Sequence, residues 1–287
     1  MKTAETSFYT TVKVPLCHLF AAPDEESEHV DEFFFGQKAE ILEKSGRFAK
    51  IKTFYGYEGW VSCKDLSERE YVPNAVVTSG WTDLLPTAEN KRKARLCVPR
   101  GSFLKTVEGG TERYAAAEDL DGGLCYVHRL NITPLPNATG KTEAETRCGI
   151  TATARLYLGS AYRWGGKTVC GIDCSGLAFM SYFMNGLILH RDAHFEKSAI
   201  LRGINLEEAK EGDLLFFPGH VAVYLGDLEY IHSTAAPGGV CYNSLDPKSP
   251  RYKEQLHKDL KQAATIDWAS GKAWRQGTGI RNQETEN

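Results

Sequence analysis

Residues 33–66 and 98–130 carry one pattern twice. FFFGQKAEILEKSGRFAKIKTFYGYEGWVSCKDL is echoed by VPRGSFLKTVEGGTERYAAAEDLDGGLCYVHRL. In each copy a strand follows a Gly turn, a second strand follows that, and a Gly leads into the last strand, GWV at 59–61 and GLCYV at 123–127. These runs are short, punctuated by Gly, Pro and charged turns, and show no sustained helical periodicity. A chain written this way closes into small antiparallel β-barrels, and the repeat predicts two of them. A Pro-, Asn- and Thr-rich stretch, NITPLPNATGKTEAE at 131–145, reads as a linker. The expected organisation is a barrel over 1–70, a second over 71–135 and a different domain over 136–287.

That last domain begins with helix and continues with strands. TRCGITATARLYLGSAY is amphipathic at helical spacing, WGG is a turn, and DCSGLAFMSYFMNGL is a second helix. GDLLFFPGHVAVYLG (212–226) and EYIHST (229–234) then alternate as half-buried antiparallel strands do. The expected fold class is therefore multidomain: small β-barrels followed by an α+β domain with an antiparallel sheet. Past 246, PKSPRYKEQLHKDLKQ adds a charged helix-like stretch with no functional reading of its own.

Composition removes several function classes. With 34 basic against 37 acidic residues and a net charge of −3, nothing draws the chain toward nucleic acid or anionic lipid. No stretch approaches the roughly 18 continuous apolar residues of a membrane span. The opening MKTAETSFYTTVKVP lacks a secretory h-region, so a cytoplasmic protein is expected, or a periplasmic or extracellular one if a leader has been removed. Eight cysteines, at 17, 63, 97, 125, 148, 170, 174 and 241, form no CxxC pair and read as reduced thiols.

One of those cysteines stands apart. Asp173 is placed to cap the second helix, which puts Cys174 in its first turn. There the positive end of the helix dipole and a nearby imidazolium would pull a thiol below its free value of about 8.5. Most free cysteines are simply buried, and Cys174 alone would be read so. His220 and His232 change the weighing. A hairpin centred on Gly226 would set them directly opposite each other, so that one imidazole orients the other as a base. Cys174, His220 and His232 thus compose a nucleophile, a base and an orienting group.

The blocks YLGSAYRWGGKTVCGIDCSGL, RDA (191–193), GDLLFFPGHVAVYLG and YIHST, in that order, resemble the NlpC/p-sixty family of cell-wall cysteine peptidases over about 150–245. Tyr57, Gly59, Trp60 and Val61 resemble the segment that closes bacterial SH3-like (SH3b) barrels; the second copy lacks the Trp. The resemblance implies a papain-like fold, Cys174 as nucleophile, His220 as base, His232 as third member, and Tyr162 as an oxyanion donor with the Cys174 N–H. It also implies a substrate groove lined by Asp173, Ser175, Arg191 and Asp192, with Ala193 where relatives often carry Ser. With SH3b domains in front, the chain is similar to endopeptidases cutting the γ-D-glutamyl–L-diamino acid bond (Lys or diaminopimelate) of murein peptides in recycling. In such relatives the first barrel restricts entry to peptides with a free N-terminal L-Ala, and Tyr57 is the residue matched to that task. A murein peptide is the expected partner, with no cofactor, no metal and no oligomeric interface assigned. Other readings stay open: an amidase or acyltransferase acting on another amide, a wall-binding protein with a silent peptidase, or a zinc site built from Cys170, Cys174, His220 and His232.

Overall fold

The computed structural model describes residues 8–89, 92–236 and 238–270. The chain divides into two compact units, Met1–Leu135 and Pro136–Asn287.

In the first unit the two sequence repeats fold alike. The strands Lys38–Ser45, Phe48–Thr53 and Glu58–Ser62 run into a 3₁₀ turn at Cys63–Asp65 and a last strand at Leu66–Ser67. The second copy repeats this order with Phe103–Gly110, Tyr114–Glu118, Leu124–His128, a 3₁₀ turn at Arg129–Asn131 and Ile132–Pro134. Alternation decides what each strand buries: Ala49, Ile51 and Val61 point into the first core with Val12, Cys17, Leu19, Phe33 and Ala39. Each buried Val, Leu, Ile or Phe side chain of this set contributes roughly 1.5–3 kcal/mol. The second core gathers Val77, Val98, Leu104, Ala117, Cys125 and Val127, and Phe35, from the first repeat, is buried among them.

The seam between the barrels requires a glycine. Phe103 N–H donates to the Phe35 carbonyl (2.8 Å), and Gln37 Nε2 donates to the Gly101 carbonyl (2.9 Å). Between them Gly36 has φ +76°, and a Cβ there would collide with the Phe103 carbonyl oxygen.

The second unit holds two main helices and one sheet. Helix α1 (Glu143–Arg155) starts three residues before the predicted span because Thr142 and Glu145 form a reciprocal capping box. It is tied to the sheet by Arg147, whose Nη1 donates to Asp213 Oδ1 (2.7 Å) and whose Nη2 donates to Thr265 Oγ1 (2.8 Å). Helix α2 (Cys174–Phe183) buries nine of its ten residues. The sheet is antiparallel, in the spatial order Leu201–Ile204, Gln262–Ile266, Leu214–Phe217, His220–Gly226, Glu229–Thr234, Gly239–Ser244.

The segment without a sequence reading finds its place here. A short helix α3 (Glu254–Asp259) leads into the Gln262–Ile266 strand, which pairs with Leu201–Ile204 on one side and Leu214–Phe217 on the other. Two strands predicted as one run, 212–226, are a hairpin folded at Pro218–Gly219, where Gly219 has φ +64°. Among the described residues no helix is long and apolar enough to cross a membrane.

Candidate active site

A small hairpin, Lys167–Thr168 with Gly171–Ile172, delivers the chain to Asp173. Asp173 is extended (φ −89°, ψ 179°) and its Oδ1 accepts the Gly176 N–H, so it caps α2 and makes Cys174 the first helical residue. Gly176 has to be small, since a Cβ there would strike the Gly166 carbonyl oxygen. These constraints place Cys174 in a tight turn, 7% exposed.

His220 opens its strand immediately after the Pro218–Gly219 turn, and His232 lies on the next. The two rings meet with His220 Nε2 and His232 Nδ1 2.7 Å apart. Their register differs from the expected one. Val223 pairs with Ile231 and Tyr224 with Tyr230, an irregularity follows, and the turn is made by Asp227 and Leu228, both at positive φ. Carried along the strands, this register sets His232 opposite Ala222, so His220 is its diagonal neighbour. Sheet parity explains why the pair survives: moving a residue two places along a strand keeps its side chain on the same face, whereas one place would move it to the other.

Burial sets the charge states. The Cys174 thiol is pushed up to about 11, first by desolvation and then by the Asp173 carboxylate, against the pull of the Val221 and Ser175 backbone N–H groups. Burial lowers His220 to about 4. Burial first, then His220 and Lys253, lower His232 to about 3. The expectation of a resting thiolate is thus corrected: the helix N-terminus helps, but desolvation outweighs it. At neutral pH the resting site holds a thiol and two uncharged imidazoles, and among the described residues no hydrogen bond joins Cys174 to His220. The backbone N–H of Val221, the residue after His220, nevertheless lies close enough to pull the thiol down.

The remaining predicted residues fall into different roles. Tyr162 is half-buried beside the site, bridged to Ile172 by its backbone. Its hydroxyl is raised by burial and then by Cys174. Arg191 departs from the expected groove-lining cation. It is 1% exposed and clasps Asp173 with both ends, Nη1 to Oδ1 and Nη2 to Oδ2, each at 3.0 Å. Nη1 also donates to Ser175 Oγ (2.8 Å), and Asp173 Oδ2 takes the Gly165 N–H (2.7 Å). A guanidinium so engaged braces the turn that carries Cys174, and Asp173 has its lone pairs filled from within the fold. Asp192 is half-buried and lines a small pocket with Ser175, His190, Leu214, Phe216 and Val221. Tyr57 belongs to the first unit, where it is half-buried against the barrel core and its backbone closes a turn on Thr53.

The sequence reading missed Asn243. Its Nδ2 lies 3.3 Å from His232 Nε2, so both ring nitrogens of His232 are engaged. The signal was available only through pairing: Asn243 is registered opposite Tyr230, two residues from His232 on the same face. The zinc reading finds no matching geometry. Among the described residues the grouping of three metal-capable ligands is His18, His29 and Glu32 in the first barrel, and none includes Cys170, Cys174, His220 or His232.

Comparison with known proteins agrees with this architecture. Residues 159–260 match the NlpC/P60 family and residues 18–67 the bacterial SH3 domain. A dipeptidyl-peptidase 6 from Lysinibacillus sphaericus is 32% identical over 252 residues, spanning 84% of this chain and 93% of that protein. A gamma-D-glutamyl-L-lysine dipeptidyl-peptidase from Bacillus subtilis is 26% identical over 220 residues, spanning 70% and 71%. The crystal structure of an NlpC/P60 family protein from Bacillus cereus superposes with a TM-score of 0.73 at 20% identity, covering 89% of this chain and 98% of that one, and so shares the fold.

Proposed function

The chain belongs to the NlpC/P60 family, and from that premise we propose that it is a cysteine peptidase hydrolysing the γ-D-glutamyl–L-diamino acid bond of murein peptides with a free N-terminal L-Ala. The observation that carries this reading is the constellation itself: a cysteine at the first position of a buried helix, lying against the peptide that follows one member of a hydrogen-bonded histidine pair. The names of the two relatives supply the bond and the free amino terminus, because a dipeptidyl-peptidase removes two residues from an unblocked end.

Cys174 gives its proton to His220 as the substrate's γ-carbonyl approaches. Transfer on substrate binding, rather than a standing thiolate, fits a thiol held up and an imidazole held down by burial. The sulfur adds to the carbonyl carbon, and the oxyanion is received by the Tyr162 hydroxyl and the Cys174 N–H at the start of α2. His220 protonates the leaving amine of the diamino acid, and the C–N bond breaks. Water, deprotonated by His220, then cleaves the thioester and regenerates the thiol. Ser175 and Asp192 border the pocket beside Cys174 and contact the bound peptide, while Arg191 and Asp173 keep the nucleophile's turn rigid.

The test is incubation with L-Ala-γ-D-Glu-L-Lys and its diaminopimelate counterpart, with and without an N-acetyl block, products read by mass spectrometry. Release of L-Ala-D-Glu from the unblocked peptides alone is the expected result. Cleavage regardless of the block removes the amino-end requirement, and no cleavage of any of them overturns the bond assignment.

A further inference from the structure

The catalytic pair has a neighbour whose chemistry decides where its protons sit. His232 is 1% exposed and Asn243 7%. The Gly239–Ser244 strand pairs with Glu229–Thr234 so that Tyr230 faces Asn243 and His232 faces Cys241. Asn243 is therefore diagonal to His232 on one face, and its Nδ2 reaches His232 Nε2 at 3.3 Å. On the other side His232 Nδ1 meets His220 Nε2 at 2.7 Å. The Tyr230 ring stands edge-on against His232, with centroids 5.2 Å apart, and blocks ring rotation.

We infer that Asn243 is a positioning residue that sets the tautomer of His232 and, through it, of His220. The inference rests on the peptidase reading above for its consequence, though not for its geometry. An amide nitrogen only donates, so with Nδ2 turned to the ring His232 Nε2 accepts. A neutral His232 then carries its proton on Nδ1 and donates to His220 Nε2, and a neutral His220 carries its proton on Nδ1. Both rings being uncharged at neutral pH agrees with their burial. In that arrangement His220 has no free lone pair with which to take the thiol proton.

Turning the Asn243 amide by half a revolution brings Oδ1 to the same place, and the chain reverses. His232 then holds its proton on Nε2, its Nδ1 accepts from His220 Nε2–H, and His220 Nδ1 is left free as the base. No proton is gained or lost: each neutral ring keeps one and changes the nitrogen that bears it. Asparagine suits this position because it presents a donor and an acceptor from one site; aspartate offers only acceptors and alanine neither.

The experiment compares the wild type with Asn243→Asp and Asn243→Ala. Long-range ¹H–¹⁵N spectra of histidine-labelled protein at pH 7 read which nitrogen of His232 bears the proton. The wild type should show Nδ1–H, Asn243→Asp should show Nε2–H, and Asn243→Ala a mixture. In turnover of the unblocked tripeptide, Asn243→Ala should lose about 10- to 100-fold in kcat with little change in KM. Asn243→Asp should keep kcat within about threefold while the acid limb of its pH profile moves up by about one unit, the added carboxylate favouring the imidazolium. Lys253, Cys241, Tyr230 and His220 are the other titratable groups bearing on His232, and they are common to all three proteins. The inference is overturned if His232 has one tautomer in all three proteins, or if Asn243→Ala and Asn243→Asp lose activity equally. Tautomers that follow the substitution in a protein cleaving none of the peptides would keep this inference and sink the functional reading.

Discussion

Two buried cysteines, one in each unit, show what burial alone does and does not make. Cys17 is fully enclosed in the first barrel among Val12, Leu19, Phe33 and Val61. Desolvation, and then the Asp65 carboxylate, push its thiol far up. Cys174 is nearly as enclosed, and burial and Asp173 push it in the same direction, up to about 11. The difference lies in what surrounds each sulfur. Cys17 sits mid-strand, where backbone groups are committed to the ladder. Cys174 begins a helix, is drawn down by the nearby Val221 and Ser175 N–H groups, and borders a histidine held by a second histidine. A nucleophile is thus a buried thiol given donors and somewhere to send its proton.

The sharpest way to break this comparison is to remove each sulfur. Cys174→Ala should lose turnover by on the order of 10⁴-fold or more while unfolding as the wild type does; Cys17→Ala should keep its activity. Equal losses in the two variants would erase the distinction.

The next largest effect belongs to the brace under the nucleophile's turn. Arg191→Ala leaves a buried Asp173 carboxylate without its bidentate partner and should cost about 3–5 kcal/mol in denaturant unfolding. A loss within experimental error would mean that Asp173 is held by its backbone donors alone.

Acid should then separate the two surroundings. His220 is lowered to about 4 and His232 to about 3, from an ordinary 6.5. The folded state resists their protonation, so their contribution is fully present above about pH 6.5, declines as the unfolded chain takes up protons below that, and is fully lost once pH has fallen through 4 and 3. It is on the order of a few kcal/mol. Thermal unfolding followed from pH 7 to pH 4 should therefore steepen in the wild type and flatten in His232→Gln. Matching slopes would remove the histidines from the account.

The smallest effect is Cys17→Ser, which buries a hydroxyl in an apolar core and should cost about 1–3 kcal/mol with unchanged kcat. A change in kcat would give the barrel thiol a part in the chemistry.

Local rules wrote much of this molecule plainly. Period-two runs and Gly turns gave two barrels, the Asp173 cap put Cys174 at a helix start, and the even spacing of His220 and His232 kept them on one face through a register shift that sequence reasoning did not foresee. Caps, turns and periodicities act over a few residues, so the residues themselves disclose them. What only the tertiary structure decided depends on groups far apart in the chain. Arg191 turned from an expected ligand-binding cation into the clasp of Asp173 because 18 residues of chain fold back over it. The Gln262–Ile266 strand entered the sheet between Leu201–Ile204 and Leu214–Phe217. Asn243 became the far neighbour of the histidine pair through a pairing register that no single strand encodes. Desolvation, which reversed the expected state of the Cys174 thiol, is a property of everything packed around a group, and that sum exists only once the chain is folded.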